Sequence, residues 1–262
     1  MKKLFRTLPL LVCALLFGAL PAWAQAVSFS DPTGDDNGPG GYTYPTDAVY
    51  KAGSFDLTKF EVNAKGDKVE FEVTVNSNLD DPWRMGVGFS VQMIFVFIDT
   101  DGKEGSGFTD SPPGVNVAFA PASAWDKCVI LSPQAFARVH QEIEAKGGAM
   151  QASLLAPNRV RGSGRTISGS VSLSDLGGGD PATWGYQVVM QSNEGFPADN
   201  DLLTRKVNEF EGQHRFGGGT DGDCDPHVMD VLGEGQAAML AYECNADGSS
   251  KKKATLTMVR KG

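Results

Sequence analysis

The chain has 262 residues, 41% of them hydrophobic, with 23 Lys+Arg against 32 Asp+Glu, three His and a formal charge of −9. That size and apolar content build one large β domain or two small ones and exclude a disordered chain. The acidic balance argues against nucleic acid, whose binders need a basic stripe to displace counterions, and 32 Gly point to a loop-rich fold.

Residues 1–24 read as a secretory signal. Lys2, Lys3 and Arg6 precede an apolar stretch from Leu8 to Leu20, and Ala22-Trp23-Ala24 has the small-x-small form of a cleavage site. Removal takes three positive charges, leaving 20 against 32 and a formal charge of −12 for residues 25–262. Cys13 is a weak hint of a lipid-modified cysteine, because apolar residues run well past it. No later stretch is long and apolar enough for a transmembrane segment; the longest, Val87–Ile98, is too short. The expected location is exported, periplasmic or extracellular.

The strands follow in order. Phe55, Leu57, Phe60 and Val62 fit a first strand, and Val69, Phe71, Val73 and Val75 alternate with polar residues as a half-buried strand does. Val91–Ile98 is a continuous β-rich run and predicts a central strand covered on both faces. Val115–Ala120, Lys127–Leu131, Ile167–Leu173, Tyr186–Met190 and Thr255–Val259 are further strands, separated by Gly, Pro, Asp and Asn clusters. Ser132 and Pro133 predict a helix start, Phe136, Val139 and Ile143 share one helical face, and Gly147-Gly148 stops it. A shorter helix is expected around Glu234–Ala241. The expected fold is mainly β: an antiparallel β-sandwich with one or two short inserted helices, spanning residues 25–250. Residues 251–262 then form a last strand and a basic tail, with Lys251–Lys253 and Arg260-Lys261.

Past the signal, three cysteines remain. Cys224 and Cys244 flank one short segment and are the favoured disulfide, while Cys128 lies in an apolar strand and reads as a buried thiol.

Asp outnumbers Glu, 21 to 11, and the aspartates cluster in loops: Asp31/Asp35/Asp36, Asp80/Asp81, Asp99/Asp101, Asp199/Asp201 and Asp221/Asp223/Asp225. Close carboxylates repel, so a short loop holding several invites a cation. Hard oxygen ligands on flexible loops favour calcium. No loop is a full EF-hand: after Asp221-x-Asp223-x-Asp225 the sixth position is Pro226 and the twelfth Leu232. Asp and Gly also simply make turns. Tyr42, Tyr44, Trp83, Trp125 and Trp184 lie beside Gly or Pro or at strand ends, where flat rings either stack on sugar faces or plug the ends of a sandwich.

Catalytic signatures are missing. There is no Gly-x-Ser-x-Gly, His-Glu-x-x-His, Walker loop or Cys-x-x-Cys-His. Gly217–Gly222 spells Gly-x-Gly-x-x-Gly but neither follows a strand nor opens a helix. His140, His214 and His227 are scattered, and no pair of aspartates is singled out for glycoside hydrolysis.

Several segments in order resemble one family: Phe29–Pro45 (FSDPTGDDNGPGGYTYP), Ser54–Val62, Gly88–Asp99, Gly114–Val117 with Ala124-Trp125-Asp126, and Phe216–Leu232 (FGGGTDGDCDPHVMDVL). Together they resemble the glucodextranase C-terminal domain family, also found on pullulanase-like and S-layer-associated proteins. The resemblance implies a sandwich like those of carbohydrate-binding and DOMON modules, accessory to a separate catalytic domain. It places Asp31, Asp35 and Asp36 in the family's acidic N-terminal motif, and Asp225 and Asp230 in its Asp-Pro-x-Val-x-Asp motif. The expected function is an exported, non-catalytic module for carbohydrate or cell-envelope glycan, with structural calcium in its Asp-rich loops and a secreted glycoside hydrolase as an expected partner. The alternatives are a redox subunit with b-type haem on Met190 or Met93, which strand packing makes the weaker reading, and, weaker still, an α-glucan hydrolase.

Overall fold

A computed structural model describes residues 26–220 and 223–262. The signal segment 1–24, Cys13 and Asp221 lie outside the described residues. Fifteen strands follow in chain order: β1 (Val27–Ser30), β2 (Leu57–Lys65), β3 (Lys68–Val75), β4 (Gln92–Asp99), β5 (Ala118–Phe119), β6 (Lys127–Leu131), β7 (Leu154–Leu155), β8 (Val160–Ser163), β9 (Thr166–Ser172), β10 (Gly185–Ser192), β11 (Asp230–Val231), β12 (Glu243–Cys244), β13 (Ser250–Lys252), β14 (Thr255–Leu256) and β15 (Val259–Arg260). Helix α1 spans Phe136–Lys146, and the single turn α2 spans Gln236–Met239.

Two sheets form the sandwich. The first has the order β1-β2-β3-β9-β8 and is antiparallel throughout. The second has the order β11-β10-β4-β6-β7, with β15 also on β10. The sandwich is therefore mainly β, as expected, but not wholly antiparallel: β7 runs parallel to β6, and β14 parallel to β5.

Alternation in β3 puts Val69, Phe71, Val73 and Val75 between the sheets, where they meet Ile94, Val96 and Ile98 of β4 and Tyr186, Val188 and Met190 of β10. The other face of β4, with Met93, Phe95 and Phe97, packs on a second core of Trp125, Cys128, Val139 and Ile143. Every residue of β4 is buried, which is why its sequence shows no alternation. Met190 and Met93 thus belong to different cores, one on each face of the second sheet.

The helix α1 starts later than expected. Its N-cap is Ala135, and the Ser132 hydroxyl instead accepts the Gln134 N–H within the preceding turn. Pro133 favours extended backbone at Ser132, which delays the helix. The strand expected over Val115–Ala120 shrinks to β5, because Asn116 takes a left-handed φ of 46°.

The strand expected over Thr255–Val259 divides into β14 and β15, which join different sheets. Residues 251–262 thus supply two strands to different sheets, with their lysines exposed. Ala254 and Leu256 are buried in the second core, and Lys251 Nζ lies 2.7 Å from Glu243 Oε2. Among the described residues, no helix is long and apolar enough to cross a membrane.

Candidate cation site and glycan cleft at the loop end

The antiparallel registers bring the end of β1, the start of β2, the start of β4 and the ends of β6 and β10 to one end of the sandwich. Asp31 follows β1, Asp56 precedes β2, and Asp230 opens β11 opposite Met190 of β10. Asp35 arrives on the loop between β1 and β2. Gln236 of α2 straps that loop down: its Nε2 donates to the carbonyls of Asp35 and Gly38, and its Oε1 accepts the Val231 N–H at 2.9 Å.

Carboxylate oxygens of Asp31, Asp35 and Asp230 all lie within 4.8 Å of one another. Asp230 is 0% exposed, Asp56 2% and Asp31 9%. One oxygen of each is used locally: Asp230 Oδ2 accepts the Leu57 N–H at 2.6 Å, Asp56 Oδ2 accepts the Gly34 N–H and the Asn76 amide, both at 2.9 Å, and Asp31 Oδ1 accepts the Gly233 N–H. The other oxygen of each, with Oδ1 of Asp35, is buried and without a partner. Among the described residues, no Lys, Arg or His makes an ion pair with any of the four.

Burial and mutual repulsion drive the carboxyls of Asp31, Asp35 and Asp230 toward protonation. Burial, then Asp35, Asp56 and Glu234, push Asp31 up to about 8 against the opposing Gly233 N–H. Burial first, then Asp31 and its neighbours, holds Asp230 well above the usual carboxylate range. The converging oxygens of Asp31, Asp35 and Asp230, buried and unpartnered, are residues that could hold a hard divalent cation, with Asp56 packed beside them. Asp36 stands beside the set but donates nothing to it, since its Oδ2 accepts the Tyr44 hydroxyl. Asp56, buried beside the set, gives no signal in the sequence, because it has no Asp neighbour and stands immediately before a strand.

A pH dependence follows for the protein in chelator. Asp31 binds its proton more tightly folded than unfolded, so the folded state holds more protons between about pH 4 and 8, and stability falls as pH rises. This contribution is fully present below the unfolded pKa and is lost through about 8. The melting temperature in EDTA is expected to be several degrees higher at pH 5 than at pH 8, and a rise with pH would contradict the arrangement.

The other aspartates predicted from sequence divide. Asp99, Asp101 and Asp126 also converge within 4.8 Å, but Arg260 pairs with Asp99, Asp101 accepts the Lys103 N–H, and Asp126 accepts both donors of Thr100. Asp225 is filled by Tyr42, Thr220 and His227, which outweigh its burial and keep it below the usual range, and Asp223 pairs with Lys206 at 2.5 Å. Asp225 and Asp223 are therefore structural partners within the chain, with no buried oxygen left over. Asp80 pairs with Lys51, and Asp81 gathers the loop before β4 by accepting the N–H groups of Met85 and Gly86.

The aromatic expectations narrow to one ring. Trp125, Trp184 and Tyr42 are buried, so none offers a face to a sugar. Trp125 packs on Phe97 and Phe108, and Trp184 on Tyr186. Strand-end tryptophans here seal the two cores. Tyr44 is half-buried, held by Asp36 and by Phe216 at 4.9 Å. Trp83 alone lines an open cleft, of about 250 Å³, with Met85, Gln134, Asn193, Glu194, Phe196 and Arg205. Phe196 is 94% exposed. Arg205 lies 5.8 Å from the Trp83 ring centre and pairs with Glu194 at 3.2 Å, which fixes the indole and leaves polar groups at its rim.

The acidic cluster and the cleft are linked by a run of ring contacts, two edge-to-face and one stacked. Tyr44, which holds Asp36, meets Phe55 at 5.9 Å; Phe55 meets Tyr50 at 6.3 Å; Tyr50 meets Trp83 at 6.2 Å. Phe55 is the residue before Asp56.

Two packed sheets with an acidic loop end and an aromatic cleft place the chain in the class of mainly β sandwiches. Within that class, residues 26–259 match the family described as the C-terminal binding-module, SLH-like, of glucodextranase, and the chain belongs to that family. No curated protein matches the chain. The disulfide Cys224–Cys244 is present, and Cys128 is a buried free thiol.

Proposed function

We propose that the chain is an exported, non-catalytic module that binds carbohydrate or cell-envelope glycan, with calcium on Asp31, Asp35 and Asp230 ordering its loop end. The observation that carries the calcium half is the set of buried, unpartnered carboxylate oxygens with no cationic side chain to neutralise them. Family membership supports the glycan half, and the disulfide supports an oxidising compartment.

In this reading, calcium pulls the β1–β2 loop against β11. The packed rings from Tyr44 to Trp83 then hold the cleft in its binding shape, so less ordering is left to occur when glycan arrives. Trp83 supplies a stacking face, and Gln134 and Glu194 line the cleft beside it as polar neighbours for hydroxyls.

Electrophoresis through gels containing soluble α-glucan or envelope polysaccharide tests it. Retardation by at least one of them is expected, weakened about tenfold in Trp83→Ala, the equivalent of about 1.4 kcal/mol. A wild-type protein retarded by none of them sinks the glycan reading.

A further inference from the structure

The Trp83 cleft does not end at Trp83. A neighbouring hollow of about 260 Å³ shares Met85 and Gln134 with it and adds Phe136. A third, of about 460 Å³, shares Val87, Arg159 and Val160 with the second and adds Arg161. The three form one trough running from the loop end onto the edge of the first sheet.

Its far wall is β8, the edge strand of that sheet. Strand alternation turns Val160 into the core and leaves Arg159 and Arg161 both exposed on the trough side. The wall is fixed in place: the Gly162 N–H donates to the Val87 carbonyl at 2.6 Å, and the Leu79 N–H to the Gly164 carbonyl at 2.8 Å. Gly88, at φ 88°, lets the loop lie this close, because a Cβ there would sit 2.4 Å from the Gly162 oxygen.

Other arginines nearby already have acidic partners: Arg138 pairs with Glu142, and Arg205 and Arg215 with Glu194. Arg159 and Arg161 form no ion pair among the described residues. On a chain of charge −9, these are two exposed guanidinium groups without an ion-pair partner; the nearby carboxylates are Asp175, which shares a hollow with Arg159, and Glu194, already paired with Arg205 and Arg215.

We infer that this trough takes an acidic glycan, a linear polysaccharide with carboxylate or phosphate groups along it. Sugar rings lie on Trp83 and Phe196, and Arg159 and Arg161 hold the acidic groups, which guanidinium binds in a two-pronged, charge-assisted fashion. The inference rests on the glycan-module reading and adds the chemical class of the glycan.

The test is gel retardation by a polyuronate, by poly(glycerol phosphate) and by neutral α-glucan. At least one acidic polymer is expected to retard the wild type about tenfold more strongly than the neutral one, and whichever does so identifies carboxylate or phosphate. The exposed double variant Arg159→Ala/Arg161→Ala should lose that preference with its melting temperature unchanged. Lys251→Ala/Lys252→Ala/Lys253→Ala, remote in sequence from the trough, should keep it. An unaltered preference in the arginine variant, or an equal loss in the lysine variant, overturns the inference. Retardation by neutral glucan alone overturns it while the module reading stands, and retardation by no polymer removes both.

Discussion

Chelation is expected to lower the melting temperature by about 5–11 °C. A cation at about 100 times its dissociation constant stabilises the folded state by about 2.7 kcal/mol. Each kcal/mol moves the midpoint of a domain this size by about 2–4 °C. The sharper test is Asp230→Asn. With calcium, the variant should melt below the wild type because a ligand charge is lost. In EDTA the order should reverse, because the wild type then keeps a fully buried acid that its neighbours push toward protonation, whereas the amide carries no charge. An isosteric substitution that merely damaged packing would lower both curves. Calorimetry of the two proteins in calcium and in EDTA separates the cases. Parallel curves would remove the cation from the account and leave the acid cluster unexplained.

Reduction of Cys224–Cys244 should cost about 3 kcal/mol, by the loop-closure estimate for a bridge of this span, and a melting shift of about 6–12 °C. The bridge ties β12 to the segment that carries Asp225 and His227, where few strands pair. Cys224 is buried and Cys244 is half-buried. Cys224→Ser/Cys244→Ser should reproduce the effect of reductant and abolish further sensitivity to it. Cys128→Ser should leave the reductant-dependent shift intact, since Cys128 is sealed in β6 and burial alone pushes its thiol up. A melting curve indifferent to reductant in the wild type would contradict this.

The sandwich was legible wherever one face of a strand carried the pattern. Val69 to Val75 alternate because one side of β3 is wet, and Val91–Ile98 does not alternate because β4 is covered twice. Where pairing was short, pattern failed: β5 and β14 hold two residues each and are set by a left-handed Asn116 and by a partner far along the chain. Of the three acids that converge, Asp31 and Asp35 stand out as grouped loop carboxylates, whereas Asp230 has no near Asp neighbour in its loop cluster and comes only from the family resemblance. Asp56, which packs beside them, gives no signal, since a lone aspartate before a strand looks like any turn residue. Neither could sequence separate Asp225 from Asp230, five residues apart. Tyr42, Thr220 and His227 converge on the first, while the second receives only the Leu57 N–H and keeps one oxygen unpartnered. The tryptophans divided by burial in the same way, since a ring beside Gly or Asp reads alike whether it seals a core or faces solvent.

The placing of β14 and β15 bears on the order of assembly. The stretch from Ala254 to Arg260 lays Leu256 in the second core, pairs with β5, and then pairs with Gly185 and Tyr186 on β10. Until those residues have been synthesised, the outer face of the second sheet lacks part of its cover. Closure therefore depends on contacts spanning more than half the chain, which slow a β protein's folding. Deleting Ala254–Arg260 would remove a keystone instead of trimming an end, whereas an extension after Gly262 would leave both pairings in place.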